Sequence, residues 1–184
     1  MKATEELKTQ LRGVAARRVE AFITTNKRIE SDFKIIENIR ELEIYKKAKV
    51  VLSYYPSMNE PMITELFNDQ GKTFYFPKIT PDGLAVGTGR LAIGKLGIYE
   101  PITTTNITEF DILLIPGAAF DVNLNRLGRG RGYFDRFLAN AKGFKLGVAY
   151  EAQIFATVPV EAHDIKMDAI VTEQRIIRKS EKKK

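Results

Sequence analysis

Ile115-Pro-Gly-Ala-Ala-Phe-Asp-Val-Asn-Leu-Asn-Arg-Leu-Gly-Arg-Gly-Arg-Gly-Tyr-Phe-Asp-Arg-Phe-Leu138 is the stretch on which the reading of this chain turns. The aliphatic run Ile112 to Ile115 leads into it, and a helix-like segment from Gly132 to Ala141 leaves it. Gly128, Gly130 and Gly132 alternate with Arg129 and Arg131, so the backbone can approach a ligand closely while guanidinium groups hold charge beside it. Strand, glycine-bearing loop and helix start is the order in which α/β proteins bind anions. The unpaired amides of a helix N-terminus lie at the positive end of its dipole.

The segments on either side complete the pattern. Leu7, Leu11, Val14, Ala15 and Phe22 recur at helical spacing, with Leu7 and Leu11 as a buried stripe. Phe33, Ile36, Ile39 and Leu42 do the same after Ser31, a residue suited to an N-cap. Val50 to Tyr55 reads as a strand closed by Pro56, Met62 to Asn68 as a short helix, and Thr73 to Phe76 as a strand ended by Pro77. Frequent glycines between Ile79 and Ile102 predict short hairpin-like strands, and Lys145 to Ala149 and Ala169 to Thr172 add two more strands. Strands alternating with helices predict a three-layer α/β sandwich, with a mostly parallel sheet flanked by helices. In such sheets ligands sit off the carboxyl ends of strands, and Pro116 to Gly132 leaves one of those ends.

The length of 184 residues and a 44% hydrophobic content suit one domain over 1–184, with a basic, solvated tail from about 175 to 184. The absence of cysteine excludes disulfides, thiolate-bound zinc and a thiol nucleophile, and the lone His163 excludes a two-histidine metal site. The first thirty residues carry charge throughout, and no apolar run is long enough to span a membrane, so a cytoplasmic, soluble monomer is expected. A net charge of +6 favours anionic partners: nucleotides, a polyanionic small molecule or nucleic acid.

Several motif readings fail on spacing. No Gly-Lys-Ser/Thr follows the glycines as in a Walker A loop, and the Rossmann spacing is missing. Asp121, Asn123 and Asn125 mimic the start of a calcium loop, but Arg126 and Gly132 stand where glycine and glutamate are needed. Asp135 is either a routine first-turn acid or, if polyphosphate fills the loop, a Mg²⁺ ligand, for which Asp164 and Asp168 are later companions. Lys8 and Arg12 share a helix face, either solvated or clamping an anion. Glu60 lies in a strand-end loop, as a turn residue or part of a site.

Pro116-Gly117-Ala-Ala-Phe120-Asp121 followed by Arg126-Leu-Gly-Arg-Gly-Arg-Gly-Tyr-Phe-Asp-Arg136 closely resembles the signature of the 5-formyltetrahydrofolate cyclo-ligase family, also called 5,10-methenyltetrahydrofolate synthetases. Lys8 with Arg12, Tyr54 to Glu60, Gly71-Lys72, Gly97-Ile-Tyr-Glu100-Pro101 and His163-Asp164 extend the resemblance over nearly the whole chain. It implies ATP- and Mg²⁺-dependent closure of 5-formyltetrahydrofolate to 5,10-methenyltetrahydrofolate, releasing ADP and phosphate. It also implies that the γ-phosphoryl group goes to the formyl oxygen before N10 attacks. On this resemblance Lys8, Thr9, Gln10, Leu11 and Arg12, with Arg126, Leu127, Gly128, Arg129, Gly130, Arg131, Gly132 and Tyr133, would bind ATP. Tyr55 and Glu60 would face the folate together with Arg129 to Tyr133. Asp135 and Asp164 would hold Mg²⁺, and Arg129, Arg131 and Glu60 would act in catalysis. Two departures stand out: Pro61-Met62-Ile63 replaces the usual acid and threonine after the glutamate, and Phe134 replaces a frequent tyrosine. The rival readings are a basic nucleic-acid-binding module, which the single Gly-Arg run in a strand-to-helix setting disfavours, and a family relative that binds ATP with another substrate.

Overall fold

Ile112, Leu113, Leu114 and Ile115 are each fully buried because successive side chains of one strand point to opposite faces of a sheet covered on both sides. Ile112 and Leu114 join a core with Ile35, Ile39 and Tyr45, while Leu113 and Ile115 join a second with Phe120, Leu138 and Ile170. The computed structural model describes residues 2–81, 83–94 and 97–179. Its helices are α1 (Lys2–Ile23), α2 (Arg28–Glu41), α3 (Glu43–Lys47) and α4 (Tyr133–Leu138). Its strands are β1 (Val50–Leu52), β2 (Thr73–Thr80), β3 (Gly83–Gly87), β4 (Leu91–Ile93), β5 (Tyr99–Pro101), β6 (Glu109–Pro116), β7 (Ala119–Asp121), β8 (Arg126–Leu127), β9 (Lys142–Val148), β10 (Ile154–Phe155), β11 (Ala169–Val171) and β12 (Ile176–Arg178).

The main sheet has the order β12-β11-β9-β6-β1-β2-β3. Its five inner strands pair in parallel and only the two edge strands run antiparallel. The three-layer, mostly parallel α/β architecture is therefore as expected, with α2 and α3 on one face and α4 on the other. A small sheet of β10, β7 and β8 and a β4–β5 ribbon lie outside it.

Several local expectations need correction. Leu7 and Val14 are exposed, whereas Lys8, Ala15 and Val19 are buried, so α1 is turned to aim Lys8 inward. Ser31 is buried inside α2, which starts at Arg28 without a side-chain cap, and Phe33 is exposed while Asp32 is buried. The first strand stops at Leu52, and the short helix is a 3-10 turn over Thr64–Asn68.

Strand β2 runs through Pro77. The Val86 carbonyl opposite turns away to accept from the Thr105 N–H, so Pro77 and Val86 form a pair without mutual hydrogen bonds. The Pro77 nitrogen thus faces the side where β1 has already ended, and its missing N–H costs no ladder bond. At the chain end, Ile176–Arg178 pairs with β11 instead of fraying, and positions 180–184 of the expected tail lie outside the described residues.

Candidate active site

β1 neighbours β2 on one side and β6 on the other, so the chain leaves the carboxyl ends of β1 and β6 in divergent directions. Such a switch point opens a crevice in a parallel sheet. The loop after β1 carries Tyr55, Ser57 and Glu60, and the segment after β6 carries Arg126 to Asp135. Together they line a cavity of about 660 Å³.

The segment after β6 is built in two steps. β7 and β8 form a hairpin whose turn is pinned by Asp121: its two carboxylate oxygens accept from the Asn123, Asn125 and Val158 amides and the Asn125 side chain. That local satisfaction gives the Asp-Val-Asn-Leu-Asn run a structural role and places Arg126 at the cavity wall. The buried Arg126 guanidinium donates to the Pro116 carbonyl at 3.0 Å and to Asp135 Oδ1 at 2.9 Å, above the Phe134 ring. Its Nε is buried with no hydrogen-bond partner among the described residues. α4 is only six residues long, so the positive potential at this end comes from the arginines more than from a helix dipole.

Arg129 reaches across the cavity. Its guanidinium is 2.9 Å from Glu60 Oε1 and donates to Ser57 Oγ at 3.0 Å, while the Ser57 amide donates to Glu60 Oε2. Glu60 is buried, whereas Arg129 stays half exposed. Arg12 enters from α1 and donates from Nε to the Gly128 carbonyl at 3.0 Å. Gly130 has φ +94°, and a Cβ there would meet the Arg12 guanidinium at 3.3 Å, so this turn both requires glycine and lets Arg12 lie on the backbone. Arg12 and Arg129 also border a smaller cavity of about 80 Å³ next to Gly117 and Gln153. Arg131 is exposed on the main cavity's rim.

Lys8 is almost fully buried, with Nζ 2.6 Å from Asp164 Oδ2 and 2.8 Å from Glu161 Oε2. Burial opposes its charge, but hydrogen bonds to Asp164 and Glu161 outweigh this and raise the ammonium's pKa. Lys8 in turn holds the Glu161 carboxyl below its ordinary value. The inward basic face replaces the solvated alternative for Lys8 and Arg12. Thr9 and Gln10 are exposed and Leu11 and Leu127 pack with Ala15; none of these four lines the main cavity, nor do Lys8, Arg12 and Gly130.

Four aromatic rings line the cavity: Tyr55 and Tyr99, with centroids 4.6 Å apart, and Tyr133 and Phe134. Sequence reasoning missed Asp32 and Tyr150, whose hydrogen bond at 2.6 Å lies directly behind Glu60. The signal for Asp32 was its place at helical spacing with Ile35, Ile36 and Ile39; Tyr150 carried none.

The donor chemistry of Asp135 and Asp164 fits a hard divalent cation, because each keeps one carboxylate oxygen that accepts no hydrogen bond among the described residues. The two are not in one ligand cluster. Asp164 groups with Glu161 and His163, and Asp135 stands apart with Arg126.

The sequence pattern of the 5-formyltetrahydrofolate cyclo-ligase family matches residues 3–173. A probable 5-formyltetrahydrofolate cyclo-ligase of Schizosaccharomyces pombe is 29% identical over 172 residues, covering 78% of this chain and 84% of the relative. The mouse 5-formyltetrahydrofolate cyclo-ligase is 26% identical, covering 91% and 90%. The solved 5,10-methenyltetrahydrofolate synthetase of Aquifex aeolicus superimposes with a TM-score of 0.81 at 34% identity, covering 94% of this chain and 92% of that one. No helix among the described residues is long and apolar enough to cross a membrane.

Proposed function

The chain belongs to the 5-formyltetrahydrofolate cyclo-ligase family and is a ligase of that kind, and from this premise we propose that it closes 5-formyltetrahydrofolate to 5,10-methenyltetrahydrofolate at the cavity between the β1 and β6 loops, using ATP. The contact between Glu60 and Arg129 carries the proposal. A carboxylate from the folate-side loop and an arginine from the phosphate-side loop meet across one cavity whose size suits small-molecule ligands.

A formamide oxygen is a poor leaving group. In the proposed reaction it attacks the γ-phosphorus of ATP, the bond to the bridging oxygen breaks, and ADP departs. N10 then attacks the activated carbon, the carbon–oxygen bond breaks with release of phosphate, and N10 gives up its proton as the ring closes. This chemistry demands positioning and charge neutralisation more than a nucleophilic side chain. Arg12, Arg129 and Arg131 supply fixed charge, and the bare backbone of Gly128 and Gly130 lets the Arg126 and Arg12 guanidinium groups lie against it. Arg126 lines the same cavity and adds a further guanidinium charge to its wall. Tyr55, Tyr99, Tyr133 and Phe134 suit a flat ring system between them. Glu60 is the proposed partner of the pterin edge, where substrate would replace Arg129 on its carboxylate.

Asp135, which lines the cavity, would hold Mg²⁺ there to neutralise phosphate charge, whereas Asp164, grouped with Glu161 and His163, would belong to a separate carboxylate set. The monomeric state and cytoplasmic location belong to the same proposal.

Absorbance of the methenyl product, followed with ATP, Mg²⁺ and 5-formyltetrahydrofolate, tests it. Product should form only with ATP. Arg129→Ala should cut turnover at least about a hundredfold while leaving the fold intact, because this side chain is half exposed. An ATP-independent or absent product would refute the assignment.

A further inference from the structure

The loop that carries Glu60 has no strand to hold it, and Pro61 removes a backbone donor at its centre. Side chains do the work of a ladder there. The Tyr150 hydroxyl lies 3.3 Å from the Glu60 carbonyl, the Tyr54 hydroxyl donates to the Pro61 carbonyl at 3.1 Å, and the Met62 N–H donates to Asp32 Oδ1 at 3.0 Å. Three successive residues are thus held by side chains from the end of β9, the end of β1 and α2. Tyr150 and Asp32 are joined in turn, because the Tyr150 hydroxyl donates to Asp32 Oδ1 at 2.6 Å. Asp32 Oδ2 faces Arg28 Nε at 3.8 Å.

All three gripping side chains are buried. Burial pushes the Asp32 carboxyl up, against the pull of its hydrogen bonds to Tyr150 and Met62, so the acid sits in the core at a cost. An apolar residue of similar volume would pack there but leave the Met62 N–H and the Tyr150 hydroxyl without their acceptor. The network therefore has a use other than packing, and the group directly in front of it is Glu60, whose carboxylate is fixed at its own end by the Ser57 amide and Arg129.

We propose that Asp32, Tyr150 and Tyr54 are positioning residues that fix the Glu60 carboxylate in the cavity by gripping the Glu60–Pro61–Met62 backbone, and so set affinity for the folate substrate. This rests on the reading of Glu60 as the folate-contacting acid. It also gives Pro61-Met62-Ile63 a role: where the family's usual acid and threonine are replaced, the backbone is held from behind.

Steady-state kinetics of Asp32→Leu, Asp32→Asn, Tyr150→Phe, Glu60→Gln and the Tyr150→Phe/Glu60→Gln double variant, with thermal unfolding of each, test the proposal. Asp32→Leu, which takes the acceptor from the Met62 N–H and the Tyr150 hydroxyl, should still fold with a lowered Tm and raise KM for 5-formyltetrahydrofolate about tenfold, with KM for ATP within about twofold. Asp32→Asn keeps the Oδ1 acceptor and should stay near wild type. Tyr150→Phe keeps its ring against Phe22 and should resemble Asp32→Leu. Combined with Glu60→Gln it should lose no more than Glu60→Gln alone, because residues acting through one group are not additive.

Equal effects on both KM values, additive losses, or an unchanged folate KM in Asp32→Leu while Glu60→Gln impairs folate binding would overturn the positioning role alone. An unchanged folate KM in Glu60→Gln would overturn the reading of Glu60 and the positioning role with it. Should Tyr150→Phe not fold, Tyr54→Phe takes its place in the cycle with the same expected sign.

Discussion

Replacing Arg126 with methionine should destabilise the protein, and then replacing Asp135 with asparagine should restore part of the loss. Methionine keeps an apolar stem of similar reach but removes two charge-assisted hydrogen bonds from a side chain that is 3% exposed. The Pro116 carbonyl loses its Arg126 donor at 3.0 Å, and Asp135, 17% exposed, is left as a charge beside Phe134. An orphaned buried acceptor costs about 1–3 kcal/mol. The stranded carboxylate adds about 1–2 kcal/mol once its partial exposure is discounted. A total of about 2–5 kcal/mol corresponds to a Tm lower by roughly 4–20 °C for a chain of this size. Asp135→Asn added to Arg126→Met should return about 1–2 kcal/mol by removing the unpaired charge, although Asp135→Asn alone destabilises. Urea unfolding of the four proteins measures the cycle. A double variant no more stable than Arg126→Met would refute the claim that Arg126 and Asp135 act as one buried pair.

Gly130→Ala should raise KM for ATP about tenfold with little change in Tm, since the strained φ and the contact with Arg12 disturb an exposed turn, and isothermal titration with ATP reads the loss. Lys8→Met should free Asp164 and Glu161 from α1, and hydrogen exchange should show faster opening of the first turns of that helix at neutral pH. Asp69 gives a pH signature. Burial raises its pKa, but hydrogen bonds from Arg40 and Tyr45 outweigh this and lower it below the usual value near 3.8. A lowered folded pKa means stability that is present above the unfolded value and lost as pH falls through the folded one. Asp69→Asn should therefore be less stable than wild type at pH 7, and the two should converge as pH falls from about 3.8 through the lower folded value.

The sheet was legible because its signal is local. Ile112 to Ile115 is apolar at every position, as a strand covered on both faces requires, and the glycine-arginine stretch follows its carboxyl end. The Gly-Arg run also proved to be set between a hairpin and α4, which is unlike a disordered basic repeat. The rotation of α1 was not legible. The apolar stripe through Leu7 and Leu11 competes with a buried Lys8 whose partners, Glu161 and Asp164, are more than 150 residues away, and no local periodicity encodes that pair. Asp32 illustrates the same limit on α2, because its partner Tyr150 comes from the far end of β9. Pro77 misled for a topological reason: a proline ends a strand only where a neighbour needs its N–H, and β1 had already stopped.

The fate of the formyl oxygen tests the central claim most directly. With 5-formyltetrahydrofolate carrying a heavy-oxygen label in the formyl group, ATP and Mg²⁺, mass spectrometry of the released inorganic phosphate should find one labelled oxygen per methenyl product formed. Unlabelled phosphate, or methenyl product without phosphate release, would contradict phosphoryl transfer to the formyl oxygen at this site.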